Sequence, residues 1–354
     1  MTLDSVTLQQ FRSYAKKTFT FSPDTTLIVG VNTAGKTNIL EAIYFLATAK
    51  SFRARQDGES IRWGSELSAI KGRLSDGSET LNLDLLITHG DVGGRAVPSK
   101  KYLVNGVSRR QIDFVGALRA VLFWPEHLEL VTDSPSLRRR YLDSVLVQVD
   151  REYRRNLLSY ERGVRQRNKL LELISEGKAS RGQLLFWNQL LIKSGAYLTD
   201  ARAAFIDFVN EHRMPGVDYH IMYDKSVISE VRLGQYADEE VAAHATLVGP
   251  HRDDFLFEAT MNKSSVSLSS YGSRGEQRLA VLWLKLAELA FIEQKTGERP
   301  ILLLDDIFSE LDDKHREYVL DLIGKQQTIV TCAEANVIDL IREARDNRVT
   351  VISL

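Results

Sequence analysis

The first fifty residues change once from alternating to helical patterning. Apolar residues alternate with polar ones around Leu3, Val6 and Phe11, which is typical of a half-buried β-ribbon. The compact apolar run at 27–29 then leads into Gly30 and a stretch with helical spacing. This order predicts a strand, a glycine turn and a helix.

Alternation with a period of two residues returns between Trp63 and Val107. The run Leu81–Leu85 is apolar at every second position, which is the pattern of antiparallel strands. Gly93–Gly94 and Asn105–Gly106 supply turn residues, and the second pair is a strong signal for a two-residue hairpin loop. The segment is therefore predicted to form an antiparallel β subdomain.

Two long helical patterns follow. Between residues 152 and 174 apolar side chains recur three and four positions apart, and after a break at 177–182 a second stripe over 184–208 keeps a near-heptad spacing. Two helices of about 25 residues joined by a short polar turn are expected to pack as an antiparallel hairpin on the order of 40 Å long.

The C-terminal part contains compact apolar runs separated by helical segments. These runs lie at 301–304, 328–331 and 349–352. Continuous apolar runs are typical of parallel strands buried on both faces. The chain is therefore predicted to be an α/β protein whose sheet is split by a helical insertion, with an N-terminal lobe over 1–130, a helical arm over 131–240 and a C-terminal lobe over 241–354.

The glycine turn after the first buried strand carries phosphate-binding chemistry. Residues 30–37 match the P-loop pattern G-x-x-x-x-G-K-[ST] between a strand and a helix. In such a loop backbone N–H groups wrap a phosphate, Lys36 reaches the β and γ phosphates, and Thr37 can ligate Mg²⁺. Nucleotide contacts are assigned to Gly30, Val31, Asn32, Thr33, Ala34, Gly35, Lys36, Thr37 and Asn38.

Thr33 leaves one question about this loop open. A β-branched residue resists a positive φ angle. If the loop requires that conformation at position 33, the affinity for nucleotide is expected to fall, and if it does not, the residue is neutral.

A second acidic motif follows the apolar run at 301–304. Asp305 and Asp306 leave the C-terminal end of that predicted strand, which is the edge where ligands bind in parallel sheets. Asp305 is expected to hold Mg²⁺ and Asp306 to orient or deprotonate the attacking water, as a Walker B motif does. Lys36 and Asp306 are thus the candidate catalytic residues. The alternative, a buried strand that merely ends in an acidic turn, fits less well beside a P-loop.

A polar segment opens the apolar helix predicted over 279–292. Ser273 and Glu276 form an S-x-x-E capping box, which satisfies helix N-terminal N–H groups without any ligand. Serine and glycine at a helix N-terminus also form an anion site, and phosphate contact then falls to Ser273 and Gly275. The two interpretations are compatible. The candidate signature segment consists of Ser273, Arg274, Gly275, Glu276 and Gln277.

A short acidic segment follows the predicted Walker B motif. By itself it is an ordinary helix N-cap with an acidic first turn. Its position directly after Walker B makes it a candidate dimer-interface loop, here called the D-loop. It consists of Ser309, Glu310, Leu311 and Asp312.

Charge is balanced over the whole chain but not locally. Lys plus Arg number 46 and Asp plus Glu 47, so the net charge of −1 provides no global attraction to a polyanion. The window 136–170 holds ten basic and four acidic residues, a local charge of +6. A basic helical stripe can bind DNA phosphates, and a solvated helix face is the equally weighted alternative. Arg138, Arg139 and Arg140 are candidate DNA contacts, or else internal ion-pair donors.

Composition restricts the cysteine chemistry, the targeting and the membrane association that are expected of this protein. The single cysteine, Cys332, excludes an intramolecular disulfide and a cysteine-based zinc cluster within one chain. No signal-peptide pattern and no apolar run of 18 residues occurs in the sequence. We expect a cytoplasmic protein without a membrane partner.

The order of P-loop, late signature, Walker B and D-loop around a central insertion resembles the head of an SMC-type ABC ATPase. A closer resemblance, to the RecF family of bacterial recombination mediators, rests on blocks along the whole chain. These blocks are Phe11–Tyr14, Leu40–Tyr44, Ser51–Arg53, Phe123–Glu126, Ser134–Pro135 with Arg138–Arg140, Gly249–Asp254, and Leu303–Asp306 with Ser309–Asp312.

The resemblance implies an ABC-type P-loop ATPase head with an antiparallel β subdomain and a helix-hairpin insertion domain. It implies a weak DNA-dependent ATPase that uses ATP and Mg²⁺, forms an ATP-dependent head-to-head homodimer, binds single-stranded and double-stranded DNA at gapped junctions, and acts with RecR and RecO to load RecA. By position, the resemblance makes Arg12 and Glu126 nucleotide contacts and makes Arg53 and Arg55 DNA contacts. It also makes the signature segment contact the nucleotide that the other copy of the dimer holds. Since no switch histidine follows the strand that ends near Thr331, hydrolysis is expected to be slow.

Two other functions remain as alternatives. A transporter-type or other SMC-like ABC subunit is the first, and the transporter type predicts a short distance between P-loop and signature, against which the central insertion argues. A hydrolysis-deficient scaffold that kept the fold while Thr33 weakened the loop is the second. Nucleotide binding separates this scaffold from the ATPase.

Overall fold

The computed structural model describes residues 1–77, 79–214, 218–261, 264–310, 313–333, 339–341 and 349–354. Within these residues the strands are β1 (Thr2–Phe11), β2 (Tyr14–Thr20), β3 (Thr25–Val29), β4 (Leu67–Asp76), β5 (Glu79–Thr88), β6 (Asp91–Val92), β7 (Arg95–Ala96), β8 (Lys100–Val104), β9 (Val107–Arg109), β10 (Ala120–Phe123), β11 (Tyr219–Asp224), β12 (Asp254–Met261), β13 (Ser264–Ser267), β14 (Ile301–Asp305), β15 (Thr328–Cys332) and β16 (Val349–Ser353). The helices are α1 (Lys36–Thr48), α2 (Gln111–Phe114), α3 (Glu129–Thr132), α4 (Pro135–Val149), α5 (Arg151–Ser175), α6 (Leu185–Glu211), α7 (Glu230–Gln235), α8 (Ala237–Ala243), α9 (Leu268–Tyr271), α10 (Arg274–Thr296), α11 (Ile307–Glu310) and α12 (Asp313–Leu322).

The chain divides into two compact units. The first, here called the sheet unit, combines Met1–His127 with Ile292–Leu354, and the second, the helical unit, is Leu128–Phe291. The segment 241–291 therefore lies in the same unit as the long helices. The division into folding domains at 130 and 240 stays a prediction.

A parallel sheet forms the core of the sheet unit. Its five strands are ordered β10-β14-β15-β3-β16, and every neighbouring pair is parallel. All residues of β10, β14 and β15 are buried, because helices and loops cover both faces of such a sheet. The parallel strands predicted from the three C-terminal apolar runs are confirmed, but burial on both faces holds only for β14 and β15, because β16 lies at the edge of the sheet and is partly exposed.

An antiparallel sheet of six strands completes the sheet unit, in the order β2-β1-β4-β5-β8-β9. Asn105 and Gly106 form the two-residue turn between β8 and β9, and both have positive φ angles of 49° and 76°. Gly93 and Gly94 do the same between β6 and β7, with φ angles of 59° and 75°. These are the geometries that twisted hairpins require, so both predicted turns are confirmed.

The helical unit contains the predicted helix hairpin. Contacts between α5 and α6 run in opposite directions along the two helices: Tyr160 lies against Gly195, and Gly163 lies against Leu191. Because the glycines carry no side chain, the Leu191 side chain and the Tyr160 ring of the other helix fill the space beside them. The three-stranded antiparallel sheet β11-β12-β13 belongs to the same unit. None of the described helices is long and apolar enough to cross a membrane.

Candidate nucleotide and nucleic-acid site

The P-loop lies between the buried strand β3 and the start of α1. Gly35 precedes the helix with a φ angle of 99°, and a Cβ atom there would lie 2.7 Å from the Tyr14 hydroxyl oxygen. The Tyr14 hydroxyl donates to the Gly35 carbonyl at 3.2 Å, and burial raises the pKa of Tyr14 to about 12. Glycine at position 35 is thus required both by backbone conformation and by this close approach.

Thr33 has a φ angle of 79°, in the left-handed region. The question left open by the sequence is therefore answered: in this fold the loop does require a positive φ angle at that position. For a β-branched residue this conformation is strained, at a cost on the order of 1–3 kcal/mol.

Lys36 places its ammonium inside the loop. Its Nζ donates to the carbonyl oxygens of Gly30 and Val31 at 2.8 and 3.1 Å, and the residue is almost fully buried. The positive charge therefore lies in the concave side of the loop, beside the N-terminus of α1, where the helix dipole also favours an anion.

The P-loop and the Walker B strand meet at one carboxylate oxygen. Thr37 Oγ1 donates to Asp305 Oδ1 at 3.0 Å although the two residues are 268 positions apart. Thr331, at the end of the neighbouring strand β15, donates to the same oxygen at 2.7 Å. Burial raises the pKa of Asp305, while the hydrogen bonds from Thr331 and Thr37 act in the opposite direction.

These oxygen atoms fit a magnesium ion bound together with nucleotide phosphates. Mg²⁺ in phosphate sites takes one or two protein carboxylates and completes its octahedron with water and phosphate oxygen atoms. A hydroxyl and a buried carboxylate 3.0 Å apart, beside the loop that holds Lys36, provide such a partial set. In the described part of the chain no cluster of three or more His, Cys, Asp or Glu could hold a metal ion by itself.

Asp306 follows directly at the carboxyl edge of the parallel sheet. Its φ angle is 50°, and its backbone N–H lies 3.1 Å from Thr331 Oγ1 and 3.2 Å from the Thr331 carbonyl oxygen. Thr331 thus contacts both acidic residues of the Walker B motif.

A buried carboxylate that sequence reasoning missed links α1 to its surroundings. Glu41 is completely buried and accepts both Nε and Nη2 of Arg12, at 2.9 and 2.6 Å, in a bidentate pair. Ser51 donates to it at 2.5 Å, and the Arg53 guanidinium lies 3.9 Å away. The only sequence signal was a charged residue inside the apolar run Leu40–Tyr44, because its partners are distant in the chain.

Arg12 and Arg53 both lie close to the P-loop helix. Arg53 Nη1 donates to Asn38 Oδ1 at 3.1 Å, and Asn38 in turn donates to Ser13 at 3.0 Å. Arg12 also has a positive φ angle of 51° and donates through Nη1 to the Glu59 carbonyl at 2.8 Å. The predicted nucleotide contact Arg12 therefore lies beside the site, with its guanidinium engaged by Glu41 and Glu59.

Glu126 lies in a 3-10 helix, Pro125–Leu128, shortly after strand β10. Because β10 is the parallel neighbour of β14, this loop leaves the same sheet edge as Asp305 and Asp306. Glu126 is exposed, and Trp124 before it packs edge-on against Phe52 at 4.7 Å between ring centroids.

In the helical unit the predicted signature segment opens α10 as a capping box. Ser273 Oγ and its backbone N–H donate to Glu276 Oε2 at 2.8 and 2.7 Å, and the Glu276 N–H returns a bond to Ser273 Oγ at 3.3 Å. These hydrogen bonds lower the pKa of Glu276. Gln277 donates to the carbonyls of Leu268 and Gly272, so the segment is held from both sides.

Part of the D-loop lies outside the described residues. Ser309 and Glu310 end the short helix α11, while Leu311 and Asp312 are not among the residues that the structure describes.

Comparison with known proteins agrees with this arrangement. The family described as RecF/RecN/SMC N terminal domain matches residues 2–351. The DNA replication and repair protein RecF of Lachnoclostridium phytofermentans is 38% identical over 344 residues, covering 94% of this chain and 92% of that protein. RecF of Thermomicrobium roseum is 36% identical over 387 residues, covering 96% and 95%. The chain belongs to the RecF family.

Solved structures give the same result. A structure of the recombination mediator protein RecF with ATP in the RecFOR pathway superposes with a TM-score of 0.83 at 29% identity, covering 94% of this chain and 92% of the other. An Smc head bound to the C-terminal winged-helix domain of ScpA superposes with a TM-score of 0.51 at 18% identity, which shows the shared head fold alone. The fold class predicted from the sequence is confirmed.

The basic residues of this RecF-family chain divide into internal and exposed ones. Arg138 is buried and forms a bidentate pair with Asp254 at 2.6 and 2.9 Å, while its Nη1 donates to the Asp133 carbonyl. Every nitrogen is thus used inside the protein, which fits the second of the two roles predicted for Arg138, that of an internal ion-pair donor. Arg139 is half-buried and donates to the Asp253 carbonyl at 2.8 Å, whereas Arg140 is exposed.

The local charge of +6 likewise overstates the available surface charge. Arg167, one of the ten basic residues, is buried and donates to Glu240 at 2.6 Å. Toward the C-terminal half of α5, Arg162, Arg165 and Lys169 are exposed and pair with no carboxylate among the described residues. Their spacing of three and four positions places them on one helix face.

The segment Gly249–Asp254, specific to the resemblance with the RecF family, has a structural role within the helical unit. Asp253 is fully buried and accepts from Arg202 at 3.0 Å, from the Ser226 N–H at 2.8 Å and from the Tyr223 hydroxyl. Asp254 is the partner of Arg138. These two carboxylates connect the segment to helices α4 and α6 by buried ion pairs.

Proposed function

We propose that this protein is an ATP-dependent DNA-binding protein of recombinational repair and replication-fork maintenance. The observation that carries the proposal is the Thr37–Asp305 contact of 3.0 Å, which brings P-loop and Walker B together in a chain 38% identical to a RecF over 94% of its length.

The residues of the site have distinct roles in this proposal. The loop N–H groups and Lys36 bind the nucleotide phosphates, and Thr37 and Asp305 hold Mg²⁺. Asp306 orients or deprotonates the attacking water at the sheet edge. Bound Mg–ATP supplies the phosphoanhydride bond whose hydrolysis resets the protein.

ATP acts as the bridge between two copies in a head-to-head homodimer. Ser273 and Gly275 of each copy contact the γ-phosphate held by the other copy, and the D-loop and Glu126 lie at this interface. In the structure the Ser273 hydroxyl donates to Glu276 at 2.8 Å, so its contact with a phosphate requires Glu276 to release that hydroxyl. Hydrolysis is slow and releases the dimer.

DNA is clamped where single and double strands meet, and the dimer then acts with RecO and RecR to load RecA. Three exposed arginines are proposed as DNA contacts. They are Arg53 and Arg55 of the sheet unit and Arg140 of the helical unit. The free cations of α5 add a phosphate-binding face. Both groups support binding without sequence readout.

The test is the ATP-dependent dimer itself. Asn tolerates the left-handed φ angle that Asp306 adopts, so Asp306→Asn removes the catalytic charge without straining the backbone. With ATP and Mg²⁺ we expect Asp306→Asn to run as a dimer and to retain gapped or duplex DNA, whereas Lys36→Ala does neither.

Light scattering and DNA retention measure both properties on the same samples. If Asp306→Asn stays monomeric at micromolar concentration with ATP and DNA present, the clamp must be abandoned. If neither wild type nor variant binds ATP, the nucleotide-independent scaffold takes its place.

A further inference from the structure

Trp63 is the most exposed large hydrophobic side chain among the described residues, with 99% of its surface accessible. It is at the second position of a β-turn, Arg62–Ser65, that is closed by the Ser65 N–H on the Arg62 carbonyl at 3.0 Å. Gly64 follows with a φ angle of 80°, the conformation required after Trp63 in a type II turn. The closed turn therefore holds a large aromatic side chain fully in solvent, where a ligand can reach both faces of the ring.

The turn is anchored firmly. The Arg62 N–H donates to the Gln10 carbonyl at 2.8 Å, Ser65 Oγ donates to Gln10 Oε1 at 3.1 Å, and Ile61 pairs with Phe11 at the end of β1. The indole is thus presented by a rigid support, so little conformational entropy is lost when it contacts a ligand.

The charged side chains of the segment differ in whether they already have a partner inside the protein. Each carboxylate of the segment is engaged: Asp57 pairs with Lys100, Glu59 accepts the N–H groups of Arg55 and Gln56, and Glu66 accepts the N–H of Gly93. By contrast, the guanidinium groups of Arg55 and Arg62 form no ion pair with any described carboxylate. An exposed aromatic ring and uncommitted guanidinium groups in one short segment have the chemistry of a single-strand nucleic-acid contact.

The same segment is connected to the nucleotide site. Arg12 donates to the Glu59 carbonyl through Nη1, and its backbone N–H donates to the Ser60 carbonyl at 2.8 Å. Its remaining nitrogens hold Glu41 of α1, the helix that begins at the P-loop. Trp63 lies three positions after Ser60 in the chain, so the turn lies close to a direct hydrogen-bonded connection with the P-loop helix.

We propose that Trp63 is a stacking platform for an unpaired base of DNA, with Arg55 and Arg62 binding the adjacent phosphates. The inference rests on the proposed function, since it assumes that the protein binds DNA, and it adds a contact that selects single-stranded regions. Base stacking requires a ring, whereas the guanidinium groups provide charge alone.

The experiment compares Trp63→Ala and Trp63→Phe with wild type, using the full chain with ATP and Mg²⁺. Fluorescence anisotropy of a labelled gapped duplex and of a blunt duplex measures the affinity. We expect Trp63→Ala to weaken binding of the gapped DNA about tenfold and Trp63→Phe to retain most of the affinity, because phenylalanine still stacks. Blunt-duplex affinity should not change.

Two further measurements make the result specific. Oligo-dT should quench the indole emission of wild type, and Trp63→Phe should lose that quenching. Arg62→Ala should lower the salt dependence of single-strand binding by about 0.7 in the log–log slope for each phosphate contact removed. The matched control is Phe186→Ala, which removes an exposed aromatic ring from the helical unit and should leave DNA binding unchanged.

Unchanged affinity of Trp63→Ala for gapped DNA overturns the proposal, as does equal loss in Trp63→Ala and Trp63→Phe. Normal DNA binding combined with lost binding of RecR also overturns it and assigns the turn to protein recognition. Failure of wild type to bind any DNA with ATP refutes the proposed function instead.

Discussion

At the scale of single residues, Thr33 is the strained point of the nucleotide loop. Its φ angle of 79° lies where β-branched side chains clash with their own backbone, and asparagine is favoured there several-fold over other non-glycine residues. The nucleotide loop therefore adopts its conformation at a cost in backbone strain that Thr33 imposes.

Replacing Thr33 by asparagine should relieve this strain. We expect Thr33→Asn to raise the melting temperature of the protein by about 2–4 °C, corresponding to about 1 kcal/mol, and to increase ATP affinity by up to about fivefold. Calorimetry with and without ATP measures both. Thr33→Val remains β-branched and is the control; equal behaviour of the two variants would show that strain at Thr33 is not significant.

Asp305 adds a pH dependence with a definite sign. Its pKa is raised in the fold chiefly by burial, so the ionised carboxylate is more costly inside the protein than in the unfolded chain. The stability present below the ordinary aspartate pKa is therefore lost as pH rises through the raised value.

Asp305→Asn should remove this pH dependence. In the absence of nucleotide we expect the variant to melt at or above the wild-type temperature at neutral pH, with the difference vanishing in acid. The Mg²⁺-dependent stabilisation by ATP should be lost at the same time. Melting curves between pH 4 and 8 provide the measurement, and a variant that destabilises equally at every pH would contradict the explanation.

At the scale of elements, two helices carry the proposed activities. Helix α1 joins the P-loop to the Arg12–Glu41 pair and hence to the β1–β2 turn. Helix α5 presents Arg162, Arg165 and Lys169 on its exposed face while burying Arg167 against Glu240. One basic helix thus supplies both a structural ion pair and a free cationic surface.

Removing the free cations of α5 should reduce the electrostatic part of DNA binding. For Arg162→Ala/Arg165→Ala/Lys169→Ala we expect the slope of log affinity against log salt to fall by about 2–3 on duplex DNA, because each phosphate contact contributes about 0.9. ATP binding should not change. A control pair, Arg181→Ala/Arg213→Ala, removes exposed arginines that already pair with Asp238 and Asp218. A similar effect in both variants would indicate only a change in net charge.

At the scale of the whole molecule, the two units differ in how the chain builds them. The parallel sheet needs both ends of the chain, because β14 and β15 lie between β10 and β3. The helical unit is continuous from Leu128 to Phe291, and its buried ion pairs, such as Arg202–Asp253, have both partners inside it.

Fragments should reflect this difference. We expect residues 128–296, which keep α10 intact, to fold alone with a cooperative helical melting transition by circular dichroism. In residues 1–127 the parallel strands β3 and β10 should not form their sheet until residues 292–354 are co-expressed, because β14 and β15 lie between them. A fully folded 1–127 fragment would contradict this and show that the antiparallel sheet, whose strands all lie within residues 2–109, is sufficient by itself.

Local patterns in the sequence were sufficient for most elements and for the motifs. The P-loop, the Walker B carboxylates, the helix hairpin and both glycine-containing turns follow from periodicity and from residues with special backbone preferences, which act over a few positions. The capping box at Ser273 was visible for the same reason. These features belong to short segments, and short segments can be recognised without knowing what packs on them.

What only the tertiary structure decided is the partner of each charge. Counting gave the window 136–170 a charge of +6, but Arg138 and Arg167 are neutralised by Asp254 and Glu240, residues more than seventy positions away. Glu41 likewise could not be recognised from the sequence as the centre of a hydrogen-bond network, because Arg12 and Ser51 come close to it only in the folded chain. A charged side chain is buried only when a partner offsets its loss of hydration, and that partner is chosen by the fold rather than by the neighbouring sequence.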